Sequence, residues 1–161
     1  MILRSMLFIP ADSEKKLSKA DSVESDALIF DLEDAVAAPR KPVGREMTCE
    51  FMRARPQANR KVRFYVRINP LESDMPLRDL AGIMAGAPDG IVLPKASGPQ
   101  DVELISKYLD VLEIEHGVDL GSTKIMAIGG ESSAGVLSMG EYAKAKLPRL
   151  VGLCWGPWDL A

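Results

Sequence analysis

Apolar runs and polar, helix-spaced stretches alternate along the whole chain. The runs at 5–10, 27–32, 61–69, 90–95, 124–128 and 150–155 predict six strands. Four apolar residues in succession, Ala27-Leu28-Ile29-Phe30, read as a strand buried on both faces, the habit of a parallel sheet covered by helices. Between the strands, 13–22, 42–55, 99–116 and 133–146 predict helices, and 76–84 a shorter segment. Asp12 or Ser13 suits an N-cap, with Lys15, Lys16 and Lys19 on the solvent side. Pro42 suits a first turn. Val102, Ile105, Leu109 and Leu112 recur at helical spacing, and Gly117 marks a stop.

Strands alternating with helices make parallel βαβ units, so the fold class is α/β. Two architectures compete. A doubly wound sheet can be complete with six strands, whereas a (β/α)8 barrel of the TIM type needs eight strands and about 250 residues. A glycine-rich phosphate loop is missing after the first strand, where Pro10-Ala11-Asp12-Ser13 stands instead, and that counts against a nucleotide-binding sheet.

The chemistry gathers where strands end. The second strand runs into Asp31-Leu32-Glu33-Asp34, and carboxylates so close raise one another's pKa unless something cationic neutralises them. The third ends in Val66-Arg67-Ile68-Asn69, the fourth in Leu93-Pro94-Lys95. The fifth leads to Gly129-Gly130-Glu131-Ser132-Ser133 and the sixth to Gly156-Pro157-Trp158-Asp159-Leu160. The C-terminal ends of parallel strands converge on one face, so these groups would form a cavity of mixed charge suited to a divalent cation and an anionic substrate. Hard oxygen donors such as Glu131 and Asp159, with no His or Cys nearby in sequence, favour Mg²⁺ or Mn²⁺ over zinc. Gly129 and Gly130 permit close backbone approach by a ligand. Plainer roles stand beside these: Glu131 as an acid at a helix N-terminus, Asp159 as an N-cap, His116 as a helix-end residue, and Trp155 and Trp158 as packing.

Composition narrows the class. With 161 residues and 47% hydrophobic content, the chain can bury a real core and is most simply one domain spanning 1–161. A net charge of −3 with mixed signs shows neither the basic stripe of a nucleic-acid binder nor the polybasic block of a membrane-surface protein. The apolar N-terminal run is interrupted by Arg4 and is too short to span a bilayer. Cys49 and Cys154 fit no metal or redox spacing, so a cytoplasmic location with reduced thiols is expected.

The ordered set Arg4-Ser5-Met6-Leu7-Phe8-Ile9-Pro10, Asp31-Leu32-Glu33-Asp34-Ala35-Val36 with Lys41 and Arg45 downstream, Val66-Arg67-Ile68-Asn69, Leu93-Pro94-Lys95, Glu131 and Gly156-Pro157-Trp158-Asp159-Leu160 resembles the citrate lyase β-subunit branch of the HpcH/HpaI aldolase family. The acidic strand end and the Arg-Ile-Asn segment are its specific parts. The resemblance implies a TIM-type (β/α)8 barrel, of which this chain carries about the first six βα units. It also implies a Mg²⁺ ion and cleavage or formation of a carbon–carbon bond in a 3-hydroxyacyl-CoA such as citryl-, malyl- or citramalyl-CoA, with an acyl-CoA and a 2-oxo acid as products. By resemblance Glu131 and Asp159 are metal ligands, and Arg67 binds the oxo acid and the developing enolate. Glu33 and Asp34 hold metal-bound waters or orient Arg67, and Lys95 and Gly130 contact substrate. A homo-oligomer, trimeric or hexameric, is implied as well. Two departures stand out: family members run well past this length, and Gly129-Gly130-Glu131-Ser132-Ser133 replaces the Thr-Glu-Thr type of segment common there. The alternatives are a CoA-independent metal aldolase acting on 2-oxo acids, and a truncated, non-catalytic chain. A barrel cut after its sixth strand has two open edges, which are expected to promote association of the chain.

Overall fold

The computed structural model describes residues 3–160. Six strands, β1 (Met6–Pro10), β2 (Ala27–Asp31), β3 (Arg63–Arg67), β4 (Gly90–Leu93), β5 (Lys124–Ile128) and β6 (Leu150–Cys154), form one sheet in the order β1-β2-β3-β4-β5-β6. Every neighbouring pair is parallel. A doubly wound sheet reverses its strand order at a switch point; this sheet never does.

The two faces of the sheet decide the architecture. One carries Ile9, Leu28, Phe30, Phe64, Val66, Ile91, Leu93 and Ile125 against helix residues Leu17, Met52, Leu80, Ile83, Val102, Ile105 and Leu109. Phe30, Phe51 and Phe64 pack there with ring centroids 5.3–5.6 Å apart. The other face buries Ala27, Ile29, Tyr65, Val92, Met126 and Ile128, and its cluster contains no helix residue. Helices on one side only, strand side chains alone on the other, and sequential parallel order are the wall of a TIM-type barrel seen over six of its strands. The edge strands β1 and β6 leave Leu7, Phe8, Val151 and Leu153 between 40% and 50% exposed, as the open-edge expectation requires.

The helices are α1 (Glu14–Leu17), α2 (Lys41–Arg53), α3 (Pro76–Ile83), α4 (Pro99–His116) and α5 (Ser133–Ser138). Two differ sharply from expectation. The predicted helix 13–22 is one α-turn followed by a 3-10 turn at Ala20–Ser22. Ser18 and Ser22 turn their hydroxyls back onto the Lys15 and Lys19 carbonyls, and Leu17 and Ala20 are the only residues of the two turns that are buried. Serine competing with the helix ladder, without an apolar stripe to pay for it, stops the helix early. The predicted helix 133–146 ends at Ser138, whose hydroxyl bonds the Ser97 and Gly135 carbonyls, and continues only as 3-10 at Met139–Ala143. By contrast α4 spans the predicted range and stops at Gly117, where φ is +65°.

The N-terminal end of the barrel wall is held by buried ion pairs. Glu113, inaccessible to solvent, accepts from Arg149 and from the Gly121 and Thr123 N–H groups. Asp110 also pairs with Arg149. Burial alone would push the Glu113 carboxyl up, but these donors pull it down to about 2. A depressed carboxyl stabilises the fold above its ordinary value and loses that contribution as pH falls through the folded value. Arg149→Met, which strands a buried carboxylate, should cost about 3 kcal/mol or more in urea unfolding at pH 7. The wild-type advantage should shrink as pH falls from 4.5 towards 2; a pH-independent difference would exclude this cause.

Candidate active site

Register brings the first two groups together. Asp31 is the last residue of β2 and pairs in the ladder with Arg67, the last of β3. Side chains opposite one another in adjacent strands meet, and here they form a fork. Arg67 donates from Nε to Asp31 Oδ1 at 2.8 Å and from Nη2 to Oδ2 at 2.7 Å. Its Nη1 lies 3.0 Å from Glu33 Oε2 and its Nη2 3.5 Å from Asp34 Oδ2. The guanidinium carbon sits 4.9 Å from the centroid of the Phe8 ring on β1. Burial works against the Arg67 charge, yet the bonds to Asp31 outweigh it and hold the guanidinium above its ordinary value. Arg67 thus contacts Glu33 and Asp34 as expected, but its chief partner is Asp31, a residue singled out only as part of the acidic strand end.

Lys95, just after β4, links the remaining groups. Its backbone N–H donates to Glu131 Oε2 at 2.7 Å. Its Nζ donates to Glu33 Oε1 at 2.6 Å and lies 2.9 Å from Asp159 Oδ2. Glu131, beyond β5, and Asp159, beyond β6, are therefore drawn to one residue at the C-terminal mouth although they lie far apart in sequence. Burial raises the Glu131 carboxyl, the Asp159 charge adds to the rise, and the Lys95 N–H and charge partly offset it. Burial likewise raises Glu33, which Lys95 and Arg67 oppose. Ser132, not Glu131, makes the capping bond of α5, accepting from Gly135 N–H at 3.1 Å, while the Glu131 carboxylate is engaged by the Lys95 N–H.

Two glycines shape this mouth. A side chain at Gly156 would come within 2.4 Å of Glu131 Cγ, so only glycine lets the chain pass over that carboxylate. At Gly130 the space is taken by the Trp155 ring, 2.5 Å from where a Cβ would stand, and close packing accounts for this glycine. Apart from that contact the tryptophans are not core residues: Trp155 is 56% and Trp158 90% exposed. Both lie just past the edge strand β6, where no seventh strand covers them among the described residues.

A network that sequence reasoning missed holds the acidic turn. Lys41, at the start of α2, is buried and donates from Nζ to the Leu32 and Glu33 carbonyls and to Asn69 Oδ1. Asn69 donates from its backbone N and Nδ2 to Asp79 Oδ2 on α3, which pairs with Arg45 of α2. The signal was present in Lys41, Arg45 and Asn69, but their partners were not.

The donor chemistry fits a hard divalent cation. Glu131 and Asp159 supply oxygen, and with glycine at position 156 no side chain crowds the Glu131 carboxylate; Glu33 is already paired with Arg67 and Lys95. Among the described residues no group of three or more His, Cys, Asp or Glu side chains forms a cage by itself. Two carboxylates with the other positions left to water and substrate are the pattern Mg²⁺ accepts. No described helix is long and apolar enough to cross a membrane.

A barrel wall with cations and carboxylates at its strand ends defines an α/β protein of the TIM-barrel class with a strand-end site. Residues 4–161 match the model of the HpcH/HpaI aldolase/citrate lyase family, and the chain belongs to that family. It is 35% identical over 156 residues to the citrate lyase subunit beta of Escherichia coli strain K12, covering 97% of this chain and 50% of that protein. It is 32% identical over 165 residues to the malyl-CoA/β-methylmalyl-CoA/citramalyl-CoA lyase of Chloroflexus aurantiacus, covering 98% of this chain and 45% of that one. Among solved structures, protein CitE of Mycobacterium tuberculosis in complex with magnesium and pyruvate superimposes with a TM-score of 0.65 at 32% identity, over 96% of this chain and 54% of that chain. The chain spans about half the length of the curated relatives it matches.

Proposed function

We propose that the whole protein is a Mg²⁺-dependent carbon–carbon lyase that interconverts a 3-hydroxyacyl-CoA of the citryl-, malyl- or citramalyl-CoA type with an acyl-CoA and a 2-oxo acid. The observation that carries this reading is the convergence of Arg67 and Lys95 with Glu33, Glu131 and Asp159 at one strand-end mouth. Family membership and the substrates named for its relatives support it.

Glu131 and Asp159 would hold the cation, which when bound polarises substrate oxygens. Arg67 is braced by Asp31, so its fork arrives with fixed direction and needs no reorganisation to meet a carboxylate or an enolate oxygen. Lys95 adds a second positive charge on the opposite side of Glu33. In the cleavage direction the hydroxyl loses its proton, its oxygen becomes the carbonyl of the oxo acid, and the bonding pair of the broken carbon–carbon bond moves into the thioester enolate. That enolate is protonated at carbon to give the acyl-CoA. Charge developing on the enolate oxygen is what a fixed guanidinium stabilises.

A CoA-independent aldolase on the same barrel would act equally well on the free hydroxy acid. Binding energy from the remote CoA moiety should instead favour the thioester. On the full-length protein, kcat/KM for the thioester should exceed that for the free hydroxy acid by about a hundredfold or more. Equal values would support the CoA-independent reaction.

A further inference from the structure

Lys95 holds a backbone conformation that side-chain-bearing residues rarely adopt, with φ at +52°. Such left-handed positions persist where the surroundings over-determine them and cluster at functional sites. Here the turn lets one residue engage three carboxylates: Glu131 through its N–H, and Glu33 and Asp159 through Nζ.

The two partners of Nζ differ. Glu33 is 5% exposed and rooted in the turn that Lys41 holds. Asp159 is 39% exposed, and among the described residues Lys95 is its one ion-pair partner. A divalent cation bound to Asp159 would place its charge against the same carboxylate as the ammonium, and like charges at that range repel. Asp159 is the partner that can be given up, and Glu33 the one that keeps the lysine in place.

We propose that Lys95 is an internal counter-cation that competes with the divalent cation for Asp159, so that metal entry frees one side of the ammonium for the anionic substrate. The inference rests on Glu131 and Asp159 being the metal ligands. It makes metal and substrate binding mutually reinforcing, because each favours the arrangement in which Lys95 has left Asp159.

Mn²⁺ binding, followed by the loss of the free-ion electron paramagnetic resonance signal on the full-length protein, tests this without any turnover. Lys95→Met should bind Mn²⁺ about tenfold more tightly than wild type. Lys95→Asn, whose side chain tolerates the left-handed backbone, should do the same and keeps the test open if the methionine variant does not fold. In an Asp159→Asn background the gain should vanish, since the contested carboxylate is gone. Unchanged or weaker binding in both Lys95 variants overturns the competition. A full gain surviving in Asp159→Asn also overturns it, because that is a general field effect and not a contest for one oxygen. If wild type binds no Mn²⁺, or Glu131→Gln binds it as well as wild type does, the metal reading itself falls and the inference with it.

Discussion

Arg67→Lys is expected to lower kcat by about 100- to 1,000-fold while leaving the protein folded. The guanidinium makes two parallel bonds to Asp31 and points its third nitrogen at Glu33. A lysine ammonium can replace one of these contacts but not the fork, and it cannot hold a fixed direction towards substrate once it has taken Asp31 as partner. Because the lysine still neutralises the buried Asp31, the melting temperature should change much less than the rate does. Arg67→Ala should be slower still, and added guanidinium ion should restore part of its activity; no restoration would indicate that the arginine acts through the fold. Steady-state kinetics with a parallel thermal melt separates these outcomes. Wild-type turnover in Arg67→Lys would remove this residue from the chemistry.

Glu131→Gln should weaken Mg²⁺ binding by about 100-fold or more. The substitution keeps the shape and leaves an amide oxygen to accept from the Lys95 N–H, so the turn after β4 should stay in place. What it removes is the negative charge, in a buried position where water cannot make up the loss. The neighbouring Asp159 would then face the cation alone, with Lys95 already against it. Isothermal titration of the metal gives the answer directly. Unchanged affinity would place the ion elsewhere.

The six strands, their parallel arrangement and the helix-covered core were legible because apolar runs such as Ala27–Phe30 and the stripe Val102, Ile105 and Leu109 are period signals that need no partner to be read; the sequential strand order was not, and only the family resemblance pointed to it. The strand-end location of Arg67, Lys95, Glu131 and Asp159 followed from the same alternation. What could not be read was register. That Asp31 and not Glu33 or Asp34 takes the Arg67 fork depends on Asp31 and Arg67 being ladder partners, and a single sequence does not state how two strands align. The same holds for Lys41, whose burial comes from three acceptors on two other segments. The left-handed Lys95 was hidden too, since nothing in Leu93-Pro94-Lys95 demands a positive φ. The helix at 13–22 was overread because its charges looked like a solvent face, when too little apolar surface lay beneath them.

The central claim is that this strand-end site breaks a carbon–carbon bond in a CoA thioester. Its most direct test is the product balance when full-length protein and Mg²⁺ are given a single 3-hydroxyacyl-CoA of the malyl-CoA type. Acyl-CoA and 2-oxo acid should appear in equal amounts, with no matching release of free CoA, and both should be lost in Arg67→Lys. Release of free CoA with the hydroxy acid left intact would mean thioester hydrolysis, and would contradict the account.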